Sequence, residues 1–475
     1  MPAETGLPAG AAAAPSPRSY RTTALIIACA LFMQNLDSTV LATALPTMAR
    51  DFRLPPAQMS LGLTSYLLAL AIFIPASGSA ADRFGARHVF AAAIAIFTLG
   101  SVACGLSGSM TTFVAARFAQ GIGGAMMVPV GRLVLLRSVA KRDLVSAMSW
   151  LAMPAMVGPI LGPPVGGLLV TYLDWRWIFW INVPVGVLGV VLVARFIDNV
   201  RAGEPRPFDR RGFVLSAAAL STALFGLQLA SRPGHGAIAA ALVAFGGVAG
   251  AAYLAHARRS MYPILDPALL RVPTFGLSVI GGTLIRITQG AQPFLLPMMM
   301  QIAFGLTAAA SGAVTVAIAV GSFAMKGAAR PLLKRFGFRT CLTAIGLLAP
   351  LAYGVTAFFR PDWPWAAIYA VLLVCGFLMS LQFTAYNTIA YDEIDGPRLS
   401  AATSLYATMQ QIALSLGVCA AASMLNLSVA IRGHAAPRFE DFSIAMWAVV
   451  AASLCAIFVN LRFSSSAGEE LRGRN

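Results

Sequence analysis

The sequence predicts an all-α integral membrane protein, and three observations carry that expectation. Hydrophobic residues make up 58% of the 475 positions and charged residues only 11%, with no polar stretch long enough to fold as a separate soluble domain. The apolar residues gather into fourteen runs, each near the roughly 20 residues that a helix needs to cross a bilayer. Between those runs lie most of the 34 Lys and Arg, on alternate sides. The spans are expected near 22–45, 58–79, 89–107, 111–136, 145–170, 177–197, 212–231, 236–256, 274–303, 308–329, 338–359, 365–388, 399–429 and 442–462.

The net charge of +16 does not point to nucleic acid, because the basic residues separate hydrophobic spans and do not line one soluble face. The excess of Lys and Arg on one side of the spans follows the positive-inside rule, which places both termini in the cytoplasm. Inside clusters include Arg83 with Arg87, Arg137 with Lys141 and Arg142, Arg210 with Arg211, and Lys334 with Arg335 and Arg339. The turn over 389–398 departs from this pattern with Asp392, Glu393 and Asp395, but acidic residues weigh little in topology. Residues 1–21, rich in Ala, Pro and Gly at their start, are expected to form a disordered cytoplasmic tail without a cleaved signal peptide. A second cytoplasmic tail is expected over 464–475.

Taken in order, the spans carry a short inventory of polar groups. Asp37 is the one acidic residue deep in any span, and a charge at that depth costs roughly 2.5–3.5 kcal/mol on insertion scales. A carboxylate whose protonation depends on water access can carry a proton. Arg117 stands in the middle of span four, where a guanidinium must find an acceptor inside the protein or an aqueous cavity. In span five Gly158, Gly162 and Gly166 repeat every four residues and present one glycine face to a neighbouring backbone, while Pro159 and Pro163 remove helix donors. Arg286, Gln289 and Pro293 share a face of span nine. Lys326 near the end of span ten and Arg132 in span four are candidates for snorkelling. Span twelve offers Gln382, Tyr386 and Asn387, and span thirteen a polar stripe of Ser404, Thr408, Gln411 and Ser415. Such stripes either bond neighbouring helices or line a cavity; cavity lining is the preferred expectation.

Other function classes find little support. The six cysteines are scattered singly, with no metal-ligand or redox spacing. His88, His235, His256 and His434 are isolated, and no His/Asp, Cys/His or Ser/Lys constellation recurs at helical spacing. No GxxxxGK[ST] loop supports ATP-driven pumping. The sequence therefore predicts neither an enzyme nor a cofactor or metal.

A weak internal repeat organises the chain. Asp82-Arg83-Phe84-Gly85-Ala86-Arg87 follows span two, and Lys334-Arg335-Phe336-Gly337-Phe338-Arg339 follows span ten. Two six-span halves separated by a two-span insert would give that offset of eight spans. The expected divisions are a first bundle over 22–200, an insert with its linkers over 201–272 and a second bundle over 273–463.

Four local patterns resemble the major facilitator superfamily, specifically its 14-helix drug:proton antiporter family of the EmrB/QacA type. Leu36-Asp37-Ser38-Thr39-Val40-Leu41-Ala42-Thr43-Ala44-Leu45-Pro46 is similar to the first-helix motif, with Ala42 where Asn is usual. The segment 78–87 is similar to the cytoplasmic-loop motif, with Ala80 and Ala86 replacing Leu and Arg. Arg117 to Gly124 fits the fourth-helix RxxQGxGG pattern, and Gly158 to Gly167 fits the fifth-helix GxxxGPxxGG pattern of antiporters. Trp175 to Pro184 follows in the expected place before span six.

The resemblance implies a proton-driven exporter of small amphipathic compounds in a bacterial inner membrane, working by alternating access without a cofactor. It implies proton coupling through Asp37 and Arg117, and a conformational latch of Gly78, Asp82, Arg83, Gly85 and Arg87. It further implies an antiporter hinge of Gly158, Pro159, Gly162, Pro163, Gly166 and Gly167. A substrate cavity is expected from Gln120, Arg286, Gln289, Gln382, Tyr386, Asn387, Thr408 and Gln411. The partners implied are a small-molecule substrate, protons and lipid, with no nucleic acid; a periplasmic adaptor or outer-membrane channel is not assigned. One deep acid against several deep basic residues gives an anionic metabolite nearly equal weight as cargo, and a non-transporting receptor or scaffold is the remaining alternative.

Overall fold

A computed structural model describes residues 20–138, 157–158, 161–197, 207–230, 235–394, 398–464 and 467–468. Pro159, Lys141, Arg142 and Asp395, with nearly all of both expected tails, lie outside the described residues. Every regular element among the described residues is helical.

The first helices are α1 (Tyr20–Asp51), α2 (Ser60–Phe73), α3 (Ser77–Phe84), α4 (Ala86–Gly105) and α5 (Met110–Ser138). Helix α6 covers 161–172. It is followed by the short α7 (Trp177–Trp180) and by α8 (Asn182–Phe196). Next come α9 (Arg210–Leu229), α10 (Gly236–Ala257), α11 (Pro273–Ile302), α12 (Ala308–Phe336) and α13 (Phe338–Val355). The chain closes with α14 (Trp365–Ile389), α15 (Leu399–Arg432), α16 (Phe439–Leu454) and α17 (Ala456–Asn460).

Twelve helices among the described residues are long and apolar enough to cross a membrane. Two of the fourteen expected spans are not in that set. The ninth is a 30-residue helix, α11, whose apolar run is diluted by Arg286, Gln289, Gln292 and Gln301, and the fifth is described only in part. The expected second span is broken by a 3-10 turn at Ile74–Ala76, where Pro75 removes a helix donor, and it continues through α3.

Both repeated loops turn in the same way. Gly85 at the α3–α4 turn has φ +89° and Gly337 at the α12–α13 turn has φ +79°, a backbone region that side-chain-bearing residues rarely adopt. In each loop the preceding arginine lies near the ring that follows it, Arg83 at 5.7 Å from Phe84 and Arg335 at 5.5 Å from Phe336. The sequence repeat is thus a repeat of structure.

Helices α1, α2, α4, α5 and α8 pack mainly on one another, as do α11 to α17. Contacts between the two groups run from α2 to α15 and from α1 to α11 and α12. Helices α9 and α10 pack against each other, with α9 touching α2 and α15, and only 22% of the most apolar stretch of each is buried. Large apolar side chains such as Leu99, Val191, Val248 and Phe323 face outward, as a bilayer-embedded surface requires.

Candidate functional site

Helix α1 presents Asp37 to the interior of the first helix group, where it is only 3% exposed. Arg117 of α5, fully buried, donates from Nη1 to Asp37 Oδ2 at 2.7 Å and to Gln120 Oε1 at 2.5 Å. Gln120 Nε2 and Asn182 Nδ2 both donate to Asp37 Oδ1 at 2.9 Å. Asn182 also donates to Ser101 Oγ at 3.0 Å, and Ser101 donates to the Phe179 carbonyl. The Arg117 guanidinium lies 4.4 Å from the Tyr66 ring centroid. One carboxylate thereby connects α1, α4, α5 and α8.

The helix packing that permits this depends on small residues. A Cβ at Gly100 would lie 2.5 Å from Gln120 Cα, and one at Gly121 would lie 2.6 Å from Ala69 Cβ. Asp37 accepts three hydrogen bonds, one at Oδ2 and two at Oδ1.

Gly158 and the α6 glycines Gly162 and Gly166 meet α1 at matching spacing. A Cβ at Gly158 would lie 2.9 Å from Asn35 Cβ, one at Gly162 would overlap Thr39 Oγ1, and one at Gly166 would lie 2.5 Å from Thr43 Oγ1. Positions 35, 39 and 43 repeat every four residues, as do 158, 162 and 166. The other side of α6 meets the second helix group: a Cβ at Gly167 would lie 2.5 Å from the Ala308 carbonyl, and the Pro163 carbonyl lies against Gly312. Close approach on two sides leaves no room for a side chain at Gly162, Gly166 and Gly167.

The loop at 78–87 is mostly accessible. Gly78 has open space where a Cβ would stand, Arg83 is exposed and Asp82 is half-buried. Arg87 donates to the Ala194 carbonyl of α8 at 2.5 Å.

The residues expected to line one substrate cavity separate into distinct surroundings. Gln120 belongs to the Asp37 network. Tyr386 is buried, and its hydroxyl donates to Asn460, which in turn donates to the Leu342 carbonyl inside the second helix group. Gln382 is buried against α13 near Gly346. Gln289 donates to the Met379 carbonyl at 3.4 Å, and Asn387 accepts from Gln410 at 2.8 Å. Thr408 Oγ1 and Gln411 Oε1 are buried without partners among the described residues.

The stripe of α15 continues to Cys419, whose thiol reaches Gln228 Oε1; that oxygen also accepts from Thr64, and Gln228 donates to Ser60. The outer end of the stripe therefore lies in the contact between α2 and α15. A cavity of about 1290 Å³ opens elsewhere, between Arg50, Arg53, Thr171, Gln301 and His434. Gln301, in its wall, donates to the Thr43 carbonyl of α1 at 2.9 Å. None of the expected substrate residues lines that cavity: those on α11 and α15 stand about three turns or more from its wall, and α5 and α14 contribute no residue to it.

Arg286 is 4% exposed and sits beside two rings, 5.2 Å from that of Tyr406 and 5.4 Å from that of Phe383. Its Nη2 donates to the Tyr406 hydroxyl at 3.3 Å. Lys326 and Arg132 are exposed.

Sequence reasoning passed over Asn182, Ser101, Tyr66, Tyr406 and Gly282. Asn182 carried a signal, since it is a lone amide in an apolar span. Ser101 and Gly282 carried none.

Comparison with known proteins fits this architecture. The family profile described as the Major Facilitator Superfamily matches residues 27–418. The chain is 38% identical over 415 residues to MdtD of Escherichia coli O6:H1, a protein named for multidrug resistance, covering 86% of this chain and 87% of the relative. MdtD of Shigella flexneri matches with the same identity and coverage. Among solved structures, the POT family transporter PepTSo superposes with a TM-score of 0.69 at 13% identity, covering 97% of this chain and 100% of that one. A D-xylose-proton symporter gives 0.68 at 14% identity, covering 94% and 99%. The human organic anion transporter MFSD10 gives 0.61 at 14%, covering 94% and 100%. At such low identity these structures speak to the fold alone. On the extent of the profile match and the identity to MdtD, this multi-pass membrane protein belongs to the Major Facilitator Superfamily.

Proposed function

We propose that the protein is a proton-coupled antiporter that exports small amphipathic compounds by alternating access. The observation that carries this reading is the buried Asp37 carboxylate, held by Arg117, Gln120 and Asn182 between four helices. In this reading a proton reaching Asp37 cancels the negative charge that Arg117 pairs with, loosens the helix group and biases it toward the other access state. Likeness to MdtD, named for multidrug resistance, supports drug-like cargo.

The remaining assignments belong to the same proposal. The protein has fourteen spans in the bacterial inner membrane, with both termini in the cytoplasm. Residues 22–200 and 273–463 form the two moving halves, and 201–272 the insert. Helix α6, between α1 and α12, is the hinge-like seal that favours exchange over leak. The loop with Gly78, Asp82, Arg83, Gly85 and Arg87 is the cytoplasmic latch. Protons, substrate and lipid are its partners, and no cofactor or catalytic step is required.

Dye accumulation in cells tests the reading. Wild-type protein is expected to keep an amphipathic dye out in a manner abolished by dissipating the proton gradient, and Asp37→Asn is expected to accumulate dye to the level of cells lacking the protein. Gradient-independent exclusion by that variant, present at wild-type abundance in the membrane, contradicts it.

A further inference from the structure

The two buried arginines among the described residues differ in their partners. Arg117 has a carboxylate at 2.7 Å, whereas among the described residues no carboxylate pairs with Arg286. Its polar contact is a single hydrogen bond to a neutral hydroxyl, and Nε finds no acceptor. A guanidinium cannot shed its charge as a buried lysine does, and leaving it unpaired away from water is costly. The interface is also out of its reach: position 286 lies roughly 20 Å along α11 from Pro273 at 1.5 Å per residue.

The surroundings are arranged for this side chain. A Cβ at Gly282 would overlap Arg286 Nη1, so the backbone one turn away leaves room for the guanidinium. Tyr406 and Phe383 offer their rings to the cation. Phe383 is 41% exposed, and one turn along α14 the half-buried Asn387 accepts from Gln410. A pair of amides is poorly suited to hydrocarbon, so the opening beside Phe383 belongs to a polar space.

We propose that Arg286, with Tyr406 and Phe383, is the anion subsite of the transport pathway, and that it takes the oxyanion head of an amphipathic organic anion. This rests on the export reading for its physiological meaning, but binding can be measured without transport. The rings supply apolar contact for the body of such a ligand, and the guanidinium supplies a charge that no described carboxylate pairs with.

Purified protein in nanodiscs would be titrated with pyrenebutyrate, pyrenebutanol and pyrenebutylamine, which share ring and chain and differ in charge. Wild type is expected to bind the anion most tightly. Arg286→Gln should weaken anion binding roughly ten- to hundredfold, as expected for losing a charged hydrogen bond, and should strengthen amine binding. Arg286→Lys should keep part of the preference. Gly282→Ala, which displaces the guanidinium without removing its charge, should weaken the anion and not the amine, and it decides the matter if Arg286→Gln fails to fold. Equal weakening of all three probes, or wild type with no preference for the anion, overturns the proposal. Flux in proteoliposomes separates the two readings: Arg286-dependent anion binding with no flux under a proton gradient removes the export reading and leaves the subsite standing.

Discussion

Arg117 and Asp37 show how unequal the two ways of disturbing a buried pair are. Removing one charge strands the other in a low-dielectric interior, at a cost of about 3–5 kcal/mol, whereas neutralising both costs far less. Arg117→Ala is therefore expected to lower thermal stability in detergent sharply, and adding Asp37→Asn to it should recover most of the loss. Arg117→Lys keeps the charge next to Asp37 but loses the guanidinium whose Nη1 bonds both Asp37 and Gln120, so partial activity is expected. A double variant no more stable than Arg117→Ala would show that the pair is not energetically coupled. At the N-terminus of α9, Asp209 caps the helix through Gly212 and also accepts from Ile264 and meets His256. Burial alone would raise its pKa, but the Gly212 amide, His256 and the Ile264 amide outweigh that and hold it below the usual carboxylate value. A depressed folded-state pKa contributes stability that is present above the unfolded value, near 4, and is lost as pH falls through the lower folded value. Asp209→Ala should cost about 1–2 kcal/mol at neutral pH and progressively less as pH falls below the unfolded carboxylate value, read as the melting shift against wild type. A shift independent of pH would contradict the assignment.

At the scale of elements, α6 and α15 illustrate which features the sequence discloses. The glycines of α6 were legible because a spacing of four defines a helix face whatever it meets; that the facing residues are Asn35, Thr39 and Thr43 was not, since nothing local links α6 to α1. The stripe of α15 was legible as a stripe but not as a destination. In a membrane bundle a polar side chain facing a cavity and one facing a neighbouring helix both point inward and share the same periodicity. Tyr386 and Gln382 were read as cavity residues for that reason, and they lie buried within the second helix group. Gly162→Leu places bulk against Thr39, so substrate binding should survive while flux falls at least tenfold. Binding and flux measured on one preparation decide it, and unimpaired flux would exclude a tight α1–α6 contact. Gln228 ties α9 to the seam between α2 and α15 through Ser60, Thr64 and Cys419. Gln228→Leu should cost about 1–2 kcal/mol in stability and alter flux, whereas wild-type values for both would make α9 and α10 a passive spacer.

Over the whole molecule, the all-helical membrane architecture and the family were legible because hydrophobic length and the four motifs are local properties of the chain. The offset of the two DRFG-like and KRFG-like loops was legible as well, and matching positive φ angles at Gly85 and Gly337 give that repeat a backbone basis. The union of Asp37 with Arg117, Gln120, Asn182 and Ser101 was not legible, because it is assembled from four helices whose mutual rotation no single-span pattern encodes. That assembly gives the account its central claim, that one proton-accepting carboxylate in the first half couples the gradient to export. Simultaneous recording of substrate efflux and opposing proton flux in proteoliposomes tests it most directly. Wild type should show both fluxes rising together with an imposed pH gradient, and Asp37→Asn should lose both while still binding substrate. Opposed proton and substrate fluxes persisting at wild-type rates in Asp37→Asn would contradict the claim.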